Sequence, residues 1–257
     1  MELLNRVIRK ALEFSFARFD WWLLVLIQGS GFFFVGWAIR KLAYYPVLVL
    51  VLVLGLGFFC LATTRLWLEI QSCYEEWEKQ NKSLPRFFSR EFLHLALGIG
   101  ASMAIFGAVE FFLRALVPVW TFRILVTSLC LVYFLGIQLF WVMFRKNFGD
   151  SVRLSLDLWL KRTQVPAVFT FVLMLGNSLA FYLARTGLKP LVSGGFSDLA
   201  SSAKLWLLAM FFLLLSVWIL VWLNNFLVIG FLEFVRTQKS KSQKTAESPA
   251  LAAVAGK

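Results

Sequence analysis

Residues 165–184, VPAVFTFVLMLGNSLAFYLA, run for 20 positions without a charged side chain. At about 1.5 Å per residue, a helix of that length reaches about 30 Å, the thickness of a bilayer's hydrocarbon core. A lipid-exposed backbone must satisfy its own hydrogen bonds, so the stretch is predicted as a helix and not as irregular chain. The segment before it, DSVRLSLDLWLKRT at 150–163, carries its charges on one stripe and is apolar elsewhere. A basic amphipathic helix lying on the membrane surface and feeding a span is the simplest reading of the pair.

Five more stretches have the span character: 21–39, 42–62, 92–117, 124–144 and 205–232. The whole predicts an all-α integral membrane protein with six transmembrane helices in residues 1–236 and a disordered cytoplasmic tail at 237–257. The composition agrees: 60% of residues are hydrophobic, 16% are charged, and the mean hydropathy is +0.76. Trp21, Trp22 and Trp37 sit at the ends of the first span, as interfacial aromatics do. Gly29, Ser30, Gly31 and Gly36 inside it permit close helix contact. The helix of the second span is expected to continue out of the membrane through residues 65–80. Residues 185–204, rich in Gly, Ser and Pro, read as a loop, with Ser197 or Asp198 capping the last helix. The apolar run from Trp21 exceeds a signal peptide's core and no small-x-small cleavage site follows, so the first span is expected to be retained.

The formal net charge of +12 arises from 26 Lys and Arg against 14 Asp and Glu. Nineteen of the 26 fall in the N-terminal segment, residues 65–91, residues 145–164 and the stretch from Arg236 to the end of the C-terminal tail. The positive-inside rule then places both termini in the cytoplasm of a bacterial-type inner membrane, with Arg40 and Lys41 as a minor violation. These charges are expected to meet membrane lipids through anionic headgroups at the cytoplasmic face. No basic stripe interleaved with base-stacking aromatics lies outside the apolar segments, so nucleic acid is not an expected partner.

Residues 2–19 form a second basic amphipathic segment, with Glu2, Arg6, Arg9 and Glu13 on one stripe and Leu4, Val7, Ile8, Leu12, Phe16 and Phe19 on the other. ALEFSFARF at 11–19 resembles SLDLWLKRT at 155–163, and SREF before the third span matches in outline. Three helix-plus-hairpin repeats would explain this. So would the general tendency of cytoplasmic segments before spans to be amphipathic and basic.

Catalytic chemistry is poorly provided for. His94 is the one histidine, and Asp20, Asp150, Asp157 and Asp198 form no metal-ligand pair at helical spacing. No HExxH, Walker or GxSxG motif occurs. The run Glu75–Gln80 opens like the EExxxR of intramembrane CAAX-type proteases, but lacks the Arg, and a single His cannot supply that family's further ligands. Cys60, Cys73 and Cys130 are too widely spaced for a metal or disulfide set. No enzyme activity, metal or cofactor is expected.

Polar residues at membrane depth are the remaining candidates. Glu110 and Arg114 form an i, i+4 pair beside Gly100, Ala104 and Gly107, a small-residue face expected to pack against protein. Alternatively Arg114 snorkels outward and Glu110 neutralises it. Gln28, Gln138 and Asn225 lie at similar depth, with Asn224 adjoining and Asn177 deeper. This layer suits either interhelical hydrogen bonding or the lining of a polar cavity. Two function classes follow. One is a non-enzymatic protein that moves a small solute or assists a complex that does. The other is a structural or assembly factor that binds a membrane-protein partner, a second copy of itself, or anionic lipid.

Overall fold

The computed structural model describes the backbone except at residues 1, 17, 42–44, 46, 78–84, 87–88, 117–119, 162–163, 194–202 and 256–257. For several further helical residues, among them Glu110, Arg114, Trp159 and those after Thr237, it describes the backbone alone. The described residues are all-helical: α1 Glu2–Phe14, α2 Asp20–Lys41, α3 Leu48–Trp77, α4 Arg90–Leu116, α5 Trp120–Phe144, α6 Phe148–Lys161, α7 Gln164–Ser193 and α8 Ala203–Ala255. Asp20 opens α2 and Glu91 sits in the first turn of α4, where a carboxylate meets the positive end of the helix dipole. Ser89 caps α4, its hydroxyl accepting from the Phe92 N–H at 3.2 Å.

Side-chain pairings fix the helix directions. Gln28 meets Thr63 and Trp21 meets Glu69, so α2 and α3 are antiparallel. Ser102 meets Gln138 and Glu91 meets Arg145, so α4 and α5 are antiparallel. Ala180 meets Ser216, and Gly176 lies against Leu223, so α7 and α8 are antiparallel. Trp67 meets Asn224 and Tyr74 meets Glu233, so α3 and α8 run parallel. The starts of α2, α4 and α7 therefore share one end of the bundle with the finishes of α3, α5 and α8. The core is concentrated at that end, where Trp21, Leu66, Ile70, Tyr74, Phe92, Val142, Val228 and Ile229 are sealed from solvent. The opposite halves are largely apolar and exposed, as Phe33 (65%), Leu54 (61%), Phe112 (64%) and Leu207 (72%) illustrate. An exposed apolar surface of this extent is what lipid or another membrane chain would cover.

Three helices among the described residues are long and apolar enough to cross a membrane: Leu48–Glu75, Arg90–Val109 and Trp206–Thr237. Shorter apolar helices, Asp20–Val35 and Tyr133–Phe144, accompany them. Several expectations change. The charged continuation of α3 does not project into water. Leu66, Trp67, Leu68, Glu69, Ile70, Gln71, Ser72, Tyr74 and Glu75 are all buried. They are covered because α1, α5 and α8 pack around this end of α3. The stretch 185–193, read as loop, belongs to α7, and Pro190 falls in its last turns. Ser197 and Asp198 lie outside the described residues. The backbone past Thr237 is helical to Ala255, over a sequence with the Ala, Lys, Gln and Glu that favour helix.

The two surface helices also dock unexpectedly. α1 packs on α8, with Val7 and Ala11 against Phe226, and the Phe16 ring stacks on Trp218 at 6.0 Å. α6 packs back on α5, where Ser155 donates to the Tyr133 carbonyl at 2.9 Å, and a Cβ at Gly136 would collide with Ser155. Each packs on a helix other than the one it precedes. The pairs α2–α3, α4–α5 and α7–α8 are each antiparallel hairpins, with α1 seated on α8 and α6 on α5.

The α2–α3 hairpin contains a backbone crossing that only glycine admits. A Cβ at Gly31 would lie 2.6 Å from the Gly55 carbonyl oxygen and 2.7 Å from the Phe59 nitrogen, both backbone atoms that cannot rotate away. A Cβ at Gly29, two residues earlier, would meet nothing within 4 Å. Gly31→Ala should therefore destabilise the protein in detergent by about 1–3 kcal/mol, as overpacking does, while Gly29→Ala should be neutral or slightly stabilising. Thermal unfolding of the two variants checks this. Equal melting temperatures would refute the crossing.

Candidate functional site

α3 supplies more of the buried polar residues than any other helix, through Thr63–Glu75, TTRLWLEIQSCYE. At 100° per residue, Thr63, Trp67 and Tyr74 fall within about 40° of one another, facing α2 and α8. Glu69 points to another side, toward the start of α2, and Gln71 and Glu75 point toward α5. One helix thus presents polar groups to three neighbours.

The deepest group is neutral. Gln28 donates to the Thr63 hydroxyl at 2.9 Å, and its carbonyl oxygen accepts from Asn224 at 3.2 Å. Asn224 accepts from the Trp67 indole at 2.9 Å and donates to its own Leu220 carbonyl at 2.9 Å. This closed set joins α2, α3 and α8. Gln138 is separate: it donates to Ser102 at 2.6 Å, and Ser102 donates to the Ile99 carbonyl at 2.9 Å, joining α5 to α4.

The group nearer the bundle end is charged. Lys10 of α1 donates to the Tyr74 hydroxyl at 2.7 Å and to Glu233 at 2.9 Å, and Tyr74 donates to the same carboxylate. The Arg236 guanidinium lies 5.2 Å from the Tyr74 ring centre, a cation–π placement. Glu69 receives Arg65 of its own helix and the Trp21 indole at 3.2 Å, with Arg18 at 4.0 Å. Arg18 titrates above its ordinary range. Partial burial works against its charge, but the hydrogen bond to Asp20 and the charges of Asp20 and Glu69 outweigh that. Gln71 donates to Glu75 at 2.9 Å and to the Met143 carbonyl at 3.2 Å, tying α3 to α5.

The structure divides the sequence candidates. Gln28 and Asn224 come together; Gln138 bonds elsewhere. Asn177 faces outward and donates to its own Leu173 carbonyl at 2.8 Å. Asn225 is fully buried, and neither of its side-chain polar atoms has a hydrogen-bond partner. These five residues do not form one hydrogen-bonded set, because their faces on the helices differ. The side chains of Glu110 and Arg114 lie outside the described residues, and so does their pairing. Of the small-residue face beside them, Gly100 packs on α3, where a Cβ would lie 3.4 Å from the Cys60 sulfur, while Ala104 and Gly107 are exposed and among the described residues nothing lies within 4 Å of a Cβ at Gly107. His94 is exposed and lies against Trp141 at 5.1 Å. Sequence reasoning missed Lys10, Glu69, Tyr74, Glu75 and Glu233. The signal was available in RLWLEIQSCYE, where large apolar residues occupy every side of the helix and leave no face for water.

No known protein family, curated protein or solved structure matches the chain.

The Lys10–Tyr74–Glu233 set predicts an asymmetry. With Glu233→Gln, the carboxylate that Lys10 bonds, and near which Arg6 and Arg236 sit, is lost. With Lys10→Met, Glu233 keeps Tyr74 and the neighbouring arginines. Breaking a buried pair costs about 3–5 kcal/mol. Both side chains keep some exposure, 15% for Lys10 and 10% for Glu233, so the lower end applies. Glu233→Gln should lower stability more than Lys10→Met, by about 1 kcal/mol or more, in chemical unfolding followed by tryptophan fluorescence. The reverse order would contradict the assignment.

Proposed function

We propose that this chain is a non-enzymatic multi-pass protein of a bacterial-type inner membrane, with six spans and both termini in the cytoplasm. In this reading it is a structural or assembly factor that binds a membrane-protein partner or anionic lipid. Helix lengths support the span number: α2 has 22 residues, α5 has 25 and α7 has 30, each able to cross a bilayer beside the three apolar spans. The alternation of helix directions suits it too, since an even number of crossings returns the chain to the side it left. The distribution of Lys and Arg supports the orientation.

The observation that carries the functional reading is that Gln28, Thr63, Trp67 and Asn224 bond to one another. Polar side chains that line a solute pathway must offer their bonding groups to the solute. Here those groups are engaged between helices, the use that holds membrane bundles together. A second reading, movement of a small solute, rests on Asn225, whose amide is buried without a partner. Unpaired polar groups at depth are functional candidates by default.

Complementation of a deletion strain separates the readings. Gln28→Leu with Asn224→Leu should still fold and still restore the wild-type phenotype. Arg9→Glu, on the exposed face of α1, should fold but fail to restore it. If the α1 variant works and Asn225→Leu abolishes function in a folded protein, the solute reading replaces this one. Topology has its own check. A membrane-impermeant thiol reagent applied to intact cells should label cysteines placed in 185–204, not those placed at the exposed positions 145–150. Labelling of 145–150 would reverse the orientation.

A further inference from the structure

α1 lies on one side of α8. Val7 and Ala11 pack with Phe226 and Trp222, Phe16 stacks on Trp218, and Lys10 bonds Glu233. At 100° per residue, Trp218, Trp222, Phe226 and Glu233 fall within about 80° of one another, which marks the side of α8 that faces α1. Asn225 lies about 20° from Trp218, at the edge of that side. Asn225 is fully buried, and the indole nitrogens of Trp218 and Trp222 are sealed as well. Among the described residues none of these polar groups has a hydrogen-bond partner. The buried face of α1 answers them with Val7, Ala11 and Phe14. Ser15, which follows on the same face, spends its hydroxyl on the Ala11 carbonyl at 2.6 Å.

The docking of α1 is therefore opposed from within. Burial of its apolar face and the Lys10–Glu233 pair hold it down. Polar groups kept from water without partners work against it. The Val7–Ala11–Phe226 cluster is also separate from the main core, which α1 joins through Phe14. An element with few buried contacts of its own opens before the rest of a structure does.

We propose that α1 is a releasable cover on α8. It leaves and returns as a unit, with Lys10 on Glu233 as its latch, and its release frees Trp218, Trp222 and Asn225 to bond elsewhere. This goes beyond the assembly-factor reading and does not depend on the number of spans.

Pulsed dipolar spectroscopy tests it in the full-length chain in lipid discs, with Cys60, Cys73 and Cys130 replaced by alanine. Spin labels go at the exposed positions of Arg9 and Lys146. The otherwise unchanged chain should show one predominant distance. Glu233→Gln, which removes the carboxylate that Lys10 bonds, should add a second, broader distribution from released α1. Asn225→Leu in that background removes the amide at similar volume. It should lower the ratio of released to docked α1 by about fivefold to a hundredfold, the range that one buried unpaired polar group corresponds to. Benzothienylalanine in place of Trp222, with sulfur where the indole N–H was, should shift the ratio the same way. Labels at Lys146 and Arg185, on the bundle itself, should keep one distance throughout. A single distance in the Glu233→Gln chain overturns the proposal, because α1 then stays down without its latch. A ratio that neither substitution lowers overturns it too, because those groups then cost the docked state nothing. So does a bundle distance that broadens in step with α1, because α1 would not be leaving alone.

Discussion

A carboxylate buried away from water costs several kcal/mol unless cations and donors surround it closely. Glu69, Glu75 and Glu233 all lie buried at one end of this bundle. The partners that offset that cost come largely from elsewhere in the chain. Lys10 and Tyr74 reach Glu233 from α1 and α3, and Trp21 reaches Glu69 from the start of α2. Gln71 bonds both Glu75 and a carbonyl at the end of α5. Each carboxylate thereby helps to set a helix position. α1 in particular is fixed by a lysine that must enter the bundle to reach Glu233, which is why this surface helix lies on α8.

The bundle is consequently unequal along its length. Around α3 from Thr63 to Glu75 the helices interlock through polar groups that have definite partners. Toward the other end they touch through small residues, as at Gly31 and Gly55, or expose large apolar ones to their surroundings. Among the described residues apolar contacts predominate in that half, joined by the Ser216 bond to the Ala180 carbonyl, and lipid tails compete for them. Such a bundle is interlocked at one end and leaves apolar surface uncovered at the other.

The sequence made the helices legible because apolar runs and charge stripes are local signals. Residues 21–39 and 92–117 correspond closely to α2 and α4, and the amphipathic stripe of 2–19 correctly marks α1. Which polar residues meet was not legible. Lys10 and Glu233 are 223 positions apart, Tyr74 and Glu233 are 159 apart, and Trp67 and Asn224 are 157 apart. Within a window, RLWLEIQSCYEEW looks like a helix leaving the membrane, because its charges are visible and its partners are not. Gln28 and Asn224 were recognisable as polar groups near one depth and Asn177 as a deeper one, yet depth did not tell that the first two meet and that Asn177 faces outward. Helix rotation decides that, and rotation is set by packing against neighbours.

The central claim is that α3 remains inside the bundle from Thr63 to Glu75. Amide hydrogen exchange of the reconstituted protein in lipid discs measures this directly. The account predicts that amides of residues 65–75 exchange as slowly as those of the buried part of α8, residues 219–234, because opening either requires the same helices to separate. Exchange of 65–75 within seconds, as in an isolated helix in water, would mean that the carboxylates are solvated and that the polar contacts do not hold the bundle together.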